Sequence, residues 1–232
     1  MSTRHNMLAL AVAVALGAPA AAGAQDLSFN YLEGGFIAGF VNDVEEAGAF
    51  TGIDSTFDLE TDAGAGAFIG GAYEFWDNMH LFGAYSSNSQ DLEVSDGIDT
   101  VEGDFDVVQW RIGVGYAYPF SPTMGFYGRL SFDNTEFKDV KVAGFNLDAD
   151  ADDDGIGGEL GIVWAATPKI HLQGHARYTS VGELATDGSA TFDADILFGV
   201  NGRWYFRPDI ALVTGYELGK ITLWNVGVRF NF

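Results

Sequence analysis

The chain has 232 residues, a formal net charge of −22 at pH 7 and no cysteine. Its length suits one domain, and its negative charge argues against nucleic-acid binding, which requires a basic face. The absence of cysteine excludes disulfide bonds and thiolate metal sites. A glycine count of 31 and an aromatic fraction of 14%, with only 5 prolines, indicate many strands with closely packed backbones.

Residues 1–24 have the pattern of a secretory signal peptide. Arg4 supplies a positive charge, Met7–Leu16 is an apolar run, and Ala22-Gly23-Ala24 matches a small-residue cleavage site. The apolar run is too short to span a bilayer, and no longer run follows it. We therefore predict that residues 1–24 are removed and that residues 25–232 form the mature domain.

Apolar and polar residues alternate along most of the mature chain. In Val107–Tyr118 one face carries Val108, Trp110, Ile112, Val114, Tyr116 and Tyr118. The other face carries Gln109, Arg111, Gly113, Gly115 and Ala117. A period of two predicts β-strands with one apolar and one polar face.

Short turn signals alternate with long acidic connections. The turns are Trp76-Asp77-Asn78, Ser121-Pro122-Thr123, Thr167-Pro168-Lys169 and Arg207-Pro208-Asp209. The long connections lie near Val41–Asp62, Asn88–Asp104, Glu136–Asp154 and Val181–Ser189, with a tight one at Gly219-Lys220. This arrangement is typical of outer-membrane barrels with short periplasmic turns and long extracellular loops. Four periplasmic turns predict ten strands; eight is the alternative if one hairpin lies outside the membrane.

The last segment, Ile221–Phe232, alternates up to the final residue. Its apolar face consists of Trp224, Val226, Val228, Phe230 and Phe232. A soluble β-protein can alternate in the same way. Aromatic residues cluster on the apolar face near the strand ends, however, as in an interfacial girdle. They are Tyr73, Phe75, Tyr116, Tyr118, Trp164, Trp204, Phe206, Phe230 and Phe232. Together with the secretion signal and the terminal Phe232, this predicts the closing strand of a membrane barrel, which must leave no free edge in lipid.

The segments Tyr31–Phe36 (YLEGGF) and Gln109–Tyr116 (QWRIGVGY), with the proline-bearing turns, resemble small bacterial outer-membrane β-barrel proteins. The family includes the OmpA transmembrane domain, OmpX and the opacity porins. The resemblance covers the mature chain and implies a single all-β, antiparallel, up-and-down transmembrane β-barrel in the outer membrane. It also implies that the apolar face of Ile221–Phe232 is the signal read by the barrel assembly machinery. Outer-membrane lipids and lipopolysaccharide are the expected partners, and an extracellular partner is not specified.

Charged residues on the strands predict a polar lumen. An arginine or lysine facing lipid at mid-membrane costs about 2–4 kcal/mol. We therefore place a lumen network inside the barrel, made of Glu33, Arg111, Arg129, Glu159, Arg177, Arg203, Glu217 and Arg229. Similar heights on adjacent strands predict that Glu159 lies near Arg177, and closure of the barrel predicts that Glu33 lies near Arg229. Such pairing predicts a largely closed lumen.

The segment Asp148–Gly155 fits the first half of a calcium-binding loop. Its candidate oxygen ligands are Asp148, Asp150, Asp152 and Asp154. The second half fails because the twelfth position is Gly161, not a bidentate glutamate. A solvated acidic loop and a weak site for a divalent cation such as Ca²⁺ both remain open, and no other cofactor is expected.

The histidines do not indicate catalysis. His80 and His171 lie beside predicted periplasmic turns, His175 lies slightly higher in the lumen, and no Gly-x-Ser-x-Gly motif occurs. We therefore predict a non-enzymatic barrel with a structural or surface-interaction role. The alternative is a narrow, cation-preferring pore, because the acidic loops could gather cations at its mouth.

Overall fold

The computed structural model describes residues 29–41, 58–61, 63–95, 100–142, 145–146, 151–184, 192–219 and 221–232. The predicted signal peptide lies outside these ranges. No helix among the described residues is long and apolar enough to cross a membrane.

All regular elements of the described residues are β-strands. They are β1 (Tyr31–Val41), β2 (Asp58–Thr61), β3 (Gly64–Trp76), β4 (Met79–Ser95), β5 (Thr100–Pro119), β6 (Met124–Val142), β7 (Phe145–Asn146), β8 (Ala151–Thr167), β9 (Ile170–Leu184), β10 (Phe192–Tyr205), β11 (Ile210–Leu218) and β12 (Ile221–Asn231). Two are short accessories: β2 pairs with β4 beyond the end of β3, and β7 pairs with β6 beyond the end of β8.

The other ten strands form a closed barrel. Each pairs antiparallel with its neighbour in the chain, and β12 pairs with β1 from Tyr31 opposite Asn231 to Val41 opposite Ile221. The predicted ten-strand, up-and-down barrel is therefore confirmed. Closure satisfies the backbone groups that an open edge would leave unpaired in lipid.

The four predicted turns all lie at one end of the barrel, which we call the turn end; the opposite end is the loop end. Asn78 has φ of 63°, a left-handed conformation that asparagine tolerates. Ser121 Oγ accepts a hydrogen bond from the backbone N–H of Met124 at 2.9 Å, and Thr167 Oγ1 accepts one from Ile170 at 2.9 Å. These side-chain contacts stabilise tight turns without long loops.

Strands β4, β5 and β6 are much longer than a membrane crossing requires. They have 17, 20 and 19 residues, whereas about 9–11 residues cross a bilayer. They therefore continue into the segments 88–104 and 136–154 that were predicted as connections. Beyond the bilayer both strand faces meet water or protein, so the apolar–polar alternation that marks a strand in the sequence is lost.

A β-bulge interrupts the β5–β6 ladder near the loop end. The register changes between Asp104 opposite Lys141 and Asp106 opposite Lys138, and Asp139 has φ of 54°. The extra residue places both Phe137 and Val140 inside, where they are 3% and 1% exposed.

The outer face of the barrel is apolar. Phe36, Leu130 and Leu160 are each at least 70% exposed. The predicted girdle residues Tyr73, Phe75, Tyr116, Tyr118, Trp204, Phe206, Phe230 and Phe232 are all exposed, and Trp164 is partly exposed. On β12, Trp224, Val228 and Phe230 are exposed and Val226 is partly buried; Phe232, directly after the strand, is exposed too. An apolar surface of this extent on a closed barrel matches a lipid environment.

Candidate functional site: the charged lumen

The predicted lumen residues all occupy inward-facing strand positions. Seven of them line a central cavity, and Arg229 is buried beside it at 2% exposure. Asp133 on β6 also lines the cavity and is 3% exposed. Sequence alternation does not indicate Asp133, because the apolar positions of its strand, Met124, Phe126, Leu130 and Phe132, stop one residue earlier.

Glu159 is the centre of the largest ion-pair group. Its Oε2 accepts a hydrogen bond from Arg111 Nη1 at 2.7 Å, and its Oε1 accepts one from Arg129 Nη1 at 3.4 Å. Its side chain is only 3% exposed. These contacts join β5, β6 and β8 through the lumen.

The expected pairing of Glu159 with Arg177 was wrong, although the two residues lie directly opposite each other on β8 and β9. Arg177 instead donates from Nη2 to Glu217 Oε1 at 2.5 Å, and its Nη1 lies 3.8 Å from Asp133 Oδ2. Long arginine side chains reach past the neighbouring strand, and both Glu159 oxygens are already occupied.

His175 and Asp133 complete this group. His175 Nε2 lies 2.8 Å from Glu217 Oε2, so that Glu217 bridges a histidine and an arginine. Neither carboxylate oxygen of Asp133 has a hydrogen-bond partner in the structure. Its compensation comes from the charge of Arg177 rather than from a hydrogen bond.

A second polar group lies nearer the turn end. Arg229 Nε is 3.1 Å from Glu33 Oε2, an ion-pair distance without the alignment of a hydrogen bond. The two residues are register partners across the β1–β12 closure. Arg229 also covers the ring of Tyr31, with 3.2 Å between Cζ and the ring centroid. Arg203 donates from Nη2 to Gln173 Oε1.

Aromatic side chains fill the lumen on the turn-end side. Phe29, Tyr31, Ala72, Phe82, Tyr127 and Val163 form one buried cluster. His80 stacks on Phe29 with 4.3 Å between ring centroids, and its Nε2 accepts a hydrogen bond from Arg129 Nε at 3.1 Å. Because arginine only donates, His80 serves here as a neutral acceptor.

Inward-facing glycines make room for this filling. A Cβ added at Gly161 would overlap the Tyr127 ring, and one at Gly199 would overlap the His175 ring. Gly115 stands in the same relation to His80, and Gly157 to the carboxylate of Asp133. The sequence offered a signal for this arrangement, since glycines recur on the polar face of the strands, but it does not tell which side chain occupies each space.

The central cavity has a volume of about 200 Å³. Charged groups on β5, β6, β8 and β9 form one wall. The facing wall includes Ile37, Phe68, Leu197, Val213 and Leu223, together with Glu33, Arg203 and Glu217. The cavity is therefore amphipathic, with charged groups on both sides and an apolar surface on one of them.

The candidate calcium ligands are only partly described. Asp148 and Asp150 lie outside the described residues, and Asp152 and Asp154 are exposed on β8. Asp154 Oδ1 accepts a hydrogen bond from Asn134 Nδ2 at 3.0 Å. No group of three or more potential ligands surrounds a metal position within the described ranges. Calcium binding therefore stays a prediction.

The loop-end surface pairs some of its acidic residues. On the outer face of β5 and β6, where these strands continue beyond the apolar band, Lys141 donates a hydrogen bond to Asp104 at 2.8 Å. This contact raises the pKa of Lys141. Lys138 donates to Glu136 at 3.1 Å. Both ion pairs are exposed, and such pairs contribute little to stability.

One protein-family model and several solved structures are similar to this chain. No curated protein matches the chain. Among solved structures, the chain is similar to OprG from Pseudomonas aeruginosa (15% identity, TM-score 0.48, covering 90% of this chain and 98% of that one). It is also similar to Neisserial surface protein A (13%, 0.44, 88% and 98%) and to Ail of Yersinia pestis (13%, 0.40, 88% and 97%). The family model of the outer membrane protein β-barrel domain matches residues 8–232. The chain therefore belongs to the outer membrane protein β-barrel family.

Proposed function

We propose that this protein is a non-enzymatic barrel of the bacterial outer membrane, with a closed lumen and a structural or surface-interaction role. The observation that carries the proposal is the contact of Glu159 with Arg111 and Arg129 through the lumen. A water-filled channel would leave such side chains against the wall and hydrated. Here Glu159 and Arg129 are instead buried, at 4% and 7% exposure.

The filling on the turn-end side supports closure independently. Tyr127 is 3% exposed and accepts a hydrogen bond from Gln173 Nε2 at 2.6 Å. Arg129 lies over the rings of Phe82, Tyr127 and Phe29, with Cζ 4.6, 5.0 and 5.6 Å from their centroids. An ion entering from the turn end would have to displace aromatic rings and a buried guanidinium together.

The histidines support the absence of enzymatic chemistry. His80 is held between Phe29 and Arg129, and His175 contacts Glu217. His171 packs against Tyr205 with 4.7 Å between ring centroids. All three contribute to lumen packing.

The loop-end parts of β4, β5 and β6, which we call the β4–β6 extension, support a role at the cell surface. The extension carries its strands beyond the apolar band and presents outward-facing polar side chains, among them Asp104, Glu136, Lys138 and Lys141. Its interior is packed by Phe105 and Phe137, whose ring centroids are 5.7 Å apart. A packed extension offers a binding surface of defined shape.

A cation-preferring pore is the second candidate, and the acidic loop-end segments favour it. The cavity lining argues against it, because four arginines face the cavity with four carboxylates: Arg111, Arg129, Arg177 and Arg203, with Glu33, Asp133, Glu159 and Glu217. A permeating cation would pass guanidinium groups at short range.

Single-channel recording in planar lipid bilayers tests the closed lumen. We expect the refolded protein to show no steady conductance. The double variant Tyr127→Ala with Arg129→Ala removes the filling and should conduct, whereas Phe126→Ala, on the outward face of the same strand, should not. A steady, cation-selective conductance of the unaltered protein would overturn the proposal in favour of the pore.

A further inference from the structure

Arg203 differs from the other arginines of the lumen. Arg111, Arg129, Arg177 and Arg229 each lie within ion-pair distance of a carboxylate. Arg203 has no such partner among the described residues; its side-chain hydrogen bond goes to the neutral amide of Gln173. A guanidinium withdrawn from bulk water without a counter-charge is costly, so this position favours a bound anion.

The charges around Arg203 strengthen this preference. Glu33 interacts electrostatically with Arg203, but its carboxylate forms its ion pair with Arg229. Two guanidinium groups therefore share one carboxylate, which leaves a local excess of positive charge. Arg203 is only partly buried and lines the central cavity, so its remaining N–H groups can reach a ligand there.

The cavity adds a constraint of size and polarity. Its volume is about 200 Å³, and Ile37, Phe68, Val213 and Leu223 form part of its lining. An apolar cavity of about 150 Å³ accommodates a benzene molecule. The space therefore suits a molecule of about one ring with a small substituent.

We propose that the lumen cavity binds a small organic carboxylate with an apolar body. The carboxylate accepts hydrogen bonds from the Arg203 guanidinium, whose planar fork matches it. The apolar body packs against the wall formed by Ile37, Phe68, Val213 and Leu223. This site is additional to the closed-barrel function and does not require the lumen to conduct.

Isothermal titration of the refolded protein in detergent micelles with benzoate tests the site, with benzamide as the neutral probe of the same shape. We expect benzoate to bind at least about tenfold more tightly, because a charge-assisted contact is worth more than a neutral one. Arg203→Gln should abolish this preference. Glu33→Gln should strengthen benzoate binding, because it removes the carboxylate that competes for Arg203.

Arg207→Gln is the matched control, because Arg207 is 63% exposed and paired with Asp209 outside the cavity. It should leave benzoate binding unchanged, which separates the site from partition into the micelle. Retention of a heat-modifiable band on gels shows that each variant is folded. Arg203→Lys keeps the positive charge but not the planar fork of the guanidinium, so it should bind benzoate with intermediate affinity.

Three results would each overturn the site. They are equal binding of benzoate and benzamide, undiminished benzoate binding by folded Arg203→Gln, and no benzoate binding by the unaltered protein. None of these results bears on conductance. A conducting lumen would overturn the proposed function alone.

Discussion

Replacement of Glu159 by glutamine should strongly destabilise the barrel. Glutamine keeps the shape of the side chain but removes the charge that faces Arg111 and Arg129, at 2.7 and 3.4 Å. Loss of one partner from a buried ion pair typically costs about 3–5 kcal/mol, because the other charge remains buried. The burial of both partners decides where in that range the cost falls.

Arg129 is the residue that Glu159→Gln would leave unpaired. Its side chain is 6% exposed, whereas that of Arg111 is 23% exposed and can hydrate from the cavity. The cation–π contacts of Arg129 with Phe29, Phe82 and Tyr127 offset part of the loss. We therefore expect the free energy of unfolding to fall by about 3 kcal/mol, the lower end of the range.

Urea unfolding in lipid vesicles, followed by tryptophan fluorescence, measures this change. Asp209→Asn is the control, because it breaks the exposed Arg207–Asp209 ion pair and should change stability by no more than about 1 kcal/mol. If Glu159→Gln unfolded at the same urea concentration as Asp209→Asn, the ion-paired lumen would not be a stabilising feature, and the argument for closure would fail.

Three further predictions follow from the strand faces and the acidic segment. Gly161→Ala should lower stability by about 1–3 kcal/mol, because its Cβ would overlap the Tyr127 ring, whereas Gly158→Ala on the outward face should have little effect in the same urea titration. Deletion of Phe232 should reduce the heat-modifiable, folded fraction recovered from outer membranes; full recovery would contradict a terminal recognition signal. Millimolar calcium should raise the melting temperature if Asp148–Gly155 binds it, and an unchanged melting curve would indicate a solvated acidic loop.

Alternation and turn chemistry were sufficient to predict the barrel and the inward position of its charges. They also predicted that Glu33 meets Arg229, because closure pairs the first strand with the last. They could not predict which arginine pairs with Glu159. That choice depends on how far each side chain reaches through the lumen, which is a property of the closed barrel and not of any one strand.

Features without a local sequence pattern were missed. Asp133 lies one residue beyond the last apolar position of its strand, so the alternation did not assign it to the lumen. The bulge at Asp139 has no glycine to mark its positive φ. The spaces at Gly161 and Gly199 depend on contacts with Tyr127 and His175 on neighbouring strands, which pattern analysis of single strands cannot supply.

The bulge at Asp139 shifts the alternation of inward and outward side chains on β6 by one residue. The positions that face inward therefore differ between the membrane-spanning part of the strand and the part beyond the bilayer. Before it, Phe137 points inward; after it, Val140 takes the inward position and Lys141 the outward one. Deletion of this single residue would restore the regular spacing of two between Phe137 and Val140, so that both stay inward and Lys141 stays outward. The strand would then lose the bend and the extra twist that a bulge introduces, without exchanging its inner and outer faces. A peptide inserted after the bulge must alternate in phase with Val140, not with Phe137, for its apolar side chains to face inward.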